Sequence, residues 1–160
     1  MTTRKLFNAA IALLFAAPLY ACGASTTDNP PDGATAMGLS IGNGLYDHEP
    51  VVDGDQVSVV EGSQGGVHVW LSVECAKCVG DVTLTYGVRS SDDSWHGEPQ
   101  RTVVSFDQDV TGLTALLHGV SGQAYVGSDV ELYAEITADG ETFETTAIVH
   151  VASVEFYDFF

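Results

Sequence analysis

Basic side chains are nearly missing from this 160-residue chain: five Lys and Arg stand against 22 Asp and Glu, for a formal charge of −17. Arg4 and Lys5 sit at the N-terminus, while Lys77, Arg89 and Arg101 are scattered through the body. Phosphate backbones are bound by clustered Lys and Arg, so no nucleic-acid partner is expected. Long apolar runs are equally scarce. The only one covers residues 6–20, broken by Asn8 and Pro18. It falls short of the roughly 20 residues that a spanning helix requires, so no retained transmembrane helix is expected. Helical periodicity of 3.6 is hard to find anywhere in the body, which argues against an α-helical fold. Catalytic signatures are missing too. There is no G-x-S-x-G elbow, phosphate loop, H-E-x-x-H helix or dinucleotide fingerprint, and His48, His68, His96, His118 and His150 form no i, i+4 pair. An enzyme is therefore not expected, and no cofactor is implied.

What is present begins with an address. Arg4 and Lys5 precede the apolar stretch, which closes on Leu19-Tyr20-Ala21-Cys22. A basic region, an apolar region and a small residue before the end form a secretion signal. The box resembles that of bacterial lipoprotein signal peptides. The resemblance implies that residues 1–21 are cleaved, that the Cys22 thiol is thioether-linked to a diacylglycerol and that its freed amino group is acylated. Two or more acyl chains hold a protein stably, at about 0.8 kcal/mol per buried methylene. The expected membrane partner is thus reached through lipid on Cys22, in the bacterial cell envelope. Gly23 stands where the retention signal of well-studied Gram-negative bacteria is Asp, which points to the outer membrane, on its periplasmic or surface face. Cleavage removes two basic residues and no acid, so the mature chain is more negative still. Such a body is repelled by an anionic bilayer. Residues 22–36, rich in small and polar residues with Pro30 and Pro31, read as a disordered tether that holds it off.

Residues 37–160 are one domain's worth of chain. Apolar residues alternate at period two, most clearly in Val67, Val69, Leu71 and Val73, and again in Val82, Leu84, Tyr86 and Val88. Strands are predicted at 38–41, 56–61, 67–74, 82–89, 101–106, 113–118, 129–137 and 142–154. Asp139-Gly140 reads as a two-residue hairpin turn between the last two. About eight strands and no helix predict an all-β domain: a single antiparallel two-sheet sandwich, immunoglobulin-like in strand count and length.

Several segments carry potential chemistry. Cys75-Ala76-Lys77-Cys78 lies between two predicted strands, where an oxidising compartment favours a disulfide across the turn. The same pair could supply half of a soft-metal site with a histidine, and Asp53/Asp55, Asp92/Asp93 and Asp107/Asp109 are oxygen ligands for calcium if they converge. Neither pattern matches a complete metal motif. His68 and Trp70 share one side of their strand, where an indole can stack on a sugar and an imidazole can hydrogen-bond it, or where both can be ordinary packing. Trp95 and His96 lie in a polar loop, 90–97, a place where sandwich proteins carry binding residues, although Trp95 could instead fold back onto the sheet. The C-terminal 156–160, Phe-Tyr-Asp-Phe-Phe, is either a buried last strand or an exposed docking strip. Gly65-Gly66-Val67-His68-Val69-Trp70 resembles a Gly-Gly-x-His-Val-Trp stretch of uncharacterised predicted lipoproteins from large-genome Gram-negative bacteria, over about residues 38–90. That resemblance implies no activity. The expectation is a lipid-anchored, non-enzymatic binding or structural module with a protein or glycan partner. The alternative is a metal-binding lipoprotein.

Overall fold

The computed structural model describes residues 37–157, apart from 64, 93 and 120; the predicted signal peptide, Cys22 and the predicted tether lie outside them. Nine strands run in the order β1 (Leu39–Asn43), β2 (Glu49–Pro50), β3 (Gln56–Gly62), β4 (Val67–Cys75), β5 (Asp81–Ser90), β6 (Gln100–Ser105), β7 (Val110–Leu116), β8 (Asp129–Ala138) and β9 (Glu141–Tyr157). Among the described residues a single 3-10 turn, Gly122–Tyr125, precedes β8, with the Ser121 hydroxyl accepting from Gln123 N at its start. The all-β expectation therefore holds. Only the two-residue β2 had no counterpart in the alternation, because a pair of exposed residues, Glu49 and Pro50, carries no period.

The predicted inward faces are buried: Val67, Val69, Leu71 and Val73 of β4 meet Leu84 and Val88 of β5 and Leu132 and Ile136 of β8 in one cluster. Each such side chain contributes roughly 1.5–3 kcal/mol on leaving water, which is what makes period-two alternation decide the fold. Asp139 and Gly140 link β8 to β9 with φ of 52° and 82°, the paired positive values of a tight hairpin turn, and Ala138 pairs with Glu141.

Two features of the expected architecture are corrected. The sheet is mixed, because β3 runs parallel to β9 from Gln56↔His150 to Gly62↔Tyr157, with a bulge at Val57/Ser58. Hydrogen bonding is also continuous, in the order β2-β1-β4-β3-β9-β8-β5-β6 with β7 on β4, rather than divided between two separate sheets. The continuity depends on two residue pairs joining β3 to β4, Val60↔His68 and Glu61↔Val67. Alternation reports that a segment is extended, but partners 95 residues apart, such as Ser58 and Ser153, leave no local trace. The sheet curls until β1 lies against β8 and β9 and β5 against β7, enclosing the core in a sandwich-like body.

Candidate functional site

The outer side of β4 carries His68, Trp70, Ser72 and Glu74, opposite in parity to the core residues. Both edges of β4 are occupied: β7 pairs along one, with His68↔Leu116 and Trp70↔Thr114, while β1 and β3 share the other. The imidazole of His68 meets the Trp70 indole edge-on, 4.5 Å between centroids at 80°. Tyr157, the last residue of β9, approaches Trp70 in the same manner at 6.3 Å and 77°. Tyr46, from the loop after β1, hydrogen-bonds the Tyr157 phenol and pushes its pKa up, with the Glu155 carboxylate adding a smaller effect of the same sign. Four rings from three places in the sequence thus gather on one face.

Within this cluster His68 is only 7% exposed, and its Nε2 is buried without a hydrogen-bond partner among the described residues. Burial lowers its pKa from the ordinary 6.5, so the ring is held neutral. A neutral imidazole presents one N–H and one lone pair, and a buried ring nitrogen lacking a partner costs about 1–3 kcal/mol. Beneath His68, Val60 is buried although it stands apart from the main core cluster, so the outer side of β3 and β4 forms a small apolar patch of its own.

A second histidine fixes the loop that supplies Tyr46. His48 Nδ1 lies 3.0 Å from Ser72 Oγ and Nε2 3.1 Å from Ser40 Oγ, with Glu74 Oε2 at 3.9 Å. Gly42 makes the space: a Cβ there would lie 2.7 Å from His48 Cε1 and 2.6 Å from the Glu49 carbonyl. The Ser-His-Ser-Glu grouping has the residue types of a hydrolytic relay, yet Ser72 is fully buried and both hydroxyls are engaged with the ring. Its geometry is that of a latch holding residues 43–48 across the outer face of β4. Sequence reasoning missed His48 and Tyr46, since an isolated His and Tyr in a loop carry no spacing signal. Tyr157 had a signal in the aromatic-rich C-terminus.

The other predicted site residues go elsewhere. The Cys75 and Cys78 sulfurs are bonded, which matches the disulfide expected across this turn and leaves no thiolate there for a metal. Trp95 is half-buried against the core, with Tyr125 as its ring partner at 5.6 Å, and its backbone N–H donates to Ser90 Oγ at 3.0 Å. His96 is exposed and forms a β-bridge with Arg89. Loop 90–97 is thereby closed onto the sheet, and it does not join the His68-Trp70 face. Asp53 accepts from Ile148 N at 2.8 Å, Asp55 from Val52 N at 2.9 Å and Asp107 from the Ser105 hydroxyl at 3.2 Å. Asp92 is held below the ordinary carboxylate range by the Ser94 and Ser90 side chains. Among the described residues no three His, Cys, Asp or Glu side chains gather as metal ligands. Of the three basic residues of the body, Arg89 is engaged by Glu131 at 2.6 Å and Glu144 at 3.4 Å and lies over the Tyr133 ring. No family model matches the chain, and no curated protein matches it either.

Proposed function

We propose that this chain is a lipid-anchored, non-enzymatic binding module of the bacterial envelope, which holds its protein or glycan ligand on the outer face of β4. The address rests on the Leu19–Cys22 box and its flanks, with lipid on Cys22, residues 22–36 as tether and the outer membrane as destination. The likeness of Gly65–Trp70 to predicted lipoproteins agrees with it. A finer reading of the fold supports the same role. We read the curled sheet as two packed layers of immunoglobulin-like character, an arrangement that leaves outer faces for contact.

One observation carries the binding reading. His68, Trp70, Tyr157 and Tyr46 assemble into a single cluster around an imidazole nitrogen that the described residues leave unpaired. A polar atom buried among rings is a stabilising partner for a ligand and an unfavourable feature without one. The metal-binding alternative gains nothing comparable, since the sulfurs are joined and the Asp53 and Asp55 carboxylates are engaged by backbone N–H groups. Nucleic acid is disfavoured by the scattered and partly neutralised cations.

The test is photo-crosslinking in intact cells from a residue beside Trp70, with wild-type, Trp70→Ala and Cys22→Ala chains. A reproducible adduct that Trp70→Ala removes, and that leaves the membrane fraction with Cys22→Ala, is expected. An adduct indifferent to Trp70, or a Cys22→Ala chain still processed and membrane-bound, would overturn the reading.

A further inference from the structure

We propose that the outer face of β4 is a saccharide site and that the sugar it takes is uncharged, an inference that rests on the binding reading above. The first argument is topological. Extended peptides are most often captured by adding a strand to an open edge. Strand β4 has none, being bonded to β7 on one side and to β1 and β3 on the other. A ligand here must be held by side chains standing off the face, and those side chains are rings.

The rings have the layout of a sugar-binding step. Trp70 is partly exposed and flanked at near-right angles by His68 and Tyr157. Tyr46, 78% exposed, extends the aromatic surface toward solvent. An indole offers a flat, electron-rich face to the C–H side of a pyranose, while the phenols and the imidazole meet its hydroxyls at the rim. The unpaired Nε2 of His68 adds a chemical criterion. Whichever tautomer the ring adopts, Nε2 requires either a donor or an acceptor, and a hydroxyl is both. Carboxylates accept only and ammonium groups donate only, so neither satisfies both cases. Nε2 is buried beside the Trp70 ring, so a ligand hydroxyl reaches it when the ring packing shifts.

Charge narrows the class further. Glu74 shares the face and Glu155 lies near the Tyr157 phenol, on a chain of formal charge −17. Uronic, sialic or phosphorylated glycans are repelled by this field, whereas neutral oligosaccharides are not. The one arginine of β5 is held by Glu131 and Glu144, so it does not offset this field.

The test uses the mature chain on an array of neutral and anionic oligosaccharides, followed by titration of the best neutral binder. In a Trp95→Phe background Trp70 is the only indole, so its emission reports occupancy directly. Binding of a neutral glycan with a change in Trp70 emission is expected, weakened about tenfold by Trp70→Ala and by a smaller factor by His68→Phe. An anionic counterpart should bind at least about tenfold more weakly, with the gap closing at high salt. His68→Phe keeps the ring packing, so it remains informative if Trp70→Ala is poorly folded. The saccharide claim fails if no neutral glycan binds, if an anionic one binds more tightly, or if both variants bind like the parent. If glycans fail while a Trp70-dependent protein adduct is recovered in cells, the binding reading stands without the sugar. If neither is found, both fall.

Discussion

His68 shows how one residue can be legible in kind and not in circumstance. Period-two alternation places it beside Trp70 on the outer side of its strand, and the structure puts it there. Its neighbours across the ladders are Val60 of β3 and Leu116 of β7, strands whose pairing with β4 no local pattern announces. Trp95 is the reverse case: a lone aromatic in a polar loop reads equally as ligand contact or as packing, and Tyr125, thirty residues on, draws it inward. The burial of His68 has a measurable consequence. Its folded-state pKa lies below the ordinary 6.5, so between the two values the unfolded chain takes up a proton that the folded one does not. The His68 contribution to stability is therefore complete above about pH 6.5 and is lost as pH falls toward the lowered value. Denaturant midpoints between about pH 7.5 and pH 5 should fall for the parent and fall less for His68→Phe. Parallel curves would assign the acid sensitivity to other groups.

At the scale of elements, what the sequence makes legible is the strand and its inward face, because burial of a Val or Leu is a local matter repeated every second residue. The β8–β9 hairpin is equally plain, since positive φ at Asp139 and Gly140 is a demand that particular residue types meet. Pairing is not local, and the parallel β3–β9 ladder and the β3–β4 link are therefore findings of the structure alone. So is the latch on β1, where Gly42 faces Ser72 and the His48 ring fills the space that a side chain would occupy. Gly42→Ala should expel that ring and release the 43–48 loop, destabilising the fold by about 1–3 kcal/mol. NMR should then show the His48 and Tyr46 signals moving while those of the β8–β9 hairpin stay in place. An unchanged Tyr46 environment would mean that the loop is held by something other than the latch.

The whole molecule combines an acidic surface, one core and an outer aromatic face, and the first two follow from composition and alternation. The face does not, because it draws on a loop, an inner strand and a strand end. The turn Cys75–Cys78 gives this arrangement a further property. Its closed loop is short, with a sequence separation of 3, so the disulfide adds only about 2 kcal/mol by restricting the unfolded chain. Its position matters more, since Ala76 N and Lys77 N donate to the carbonyls of Gly38 and Met37, where the chain enters β1. Tension transmitted through the residues before Met37 meets the fold there, and it opens the β1–β4 ladder from its end, one bond at a time. Strand β1 leads directly into the loop that carries Tyr46. A pull that unzips β1 thus withdraws a wall of the aromatic face, and the stapled turn sets the force at which this starts. Single-molecule pulling from the N-terminal side should show β1 detaching first, at lower force once the disulfide is reduced; a first rupture at β9, or one indifferent to reductant, would exclude this order. With the proposed tether and ligand face, load and grip would share a single strand, and the domain under strain would loosen its hold before it unfolds.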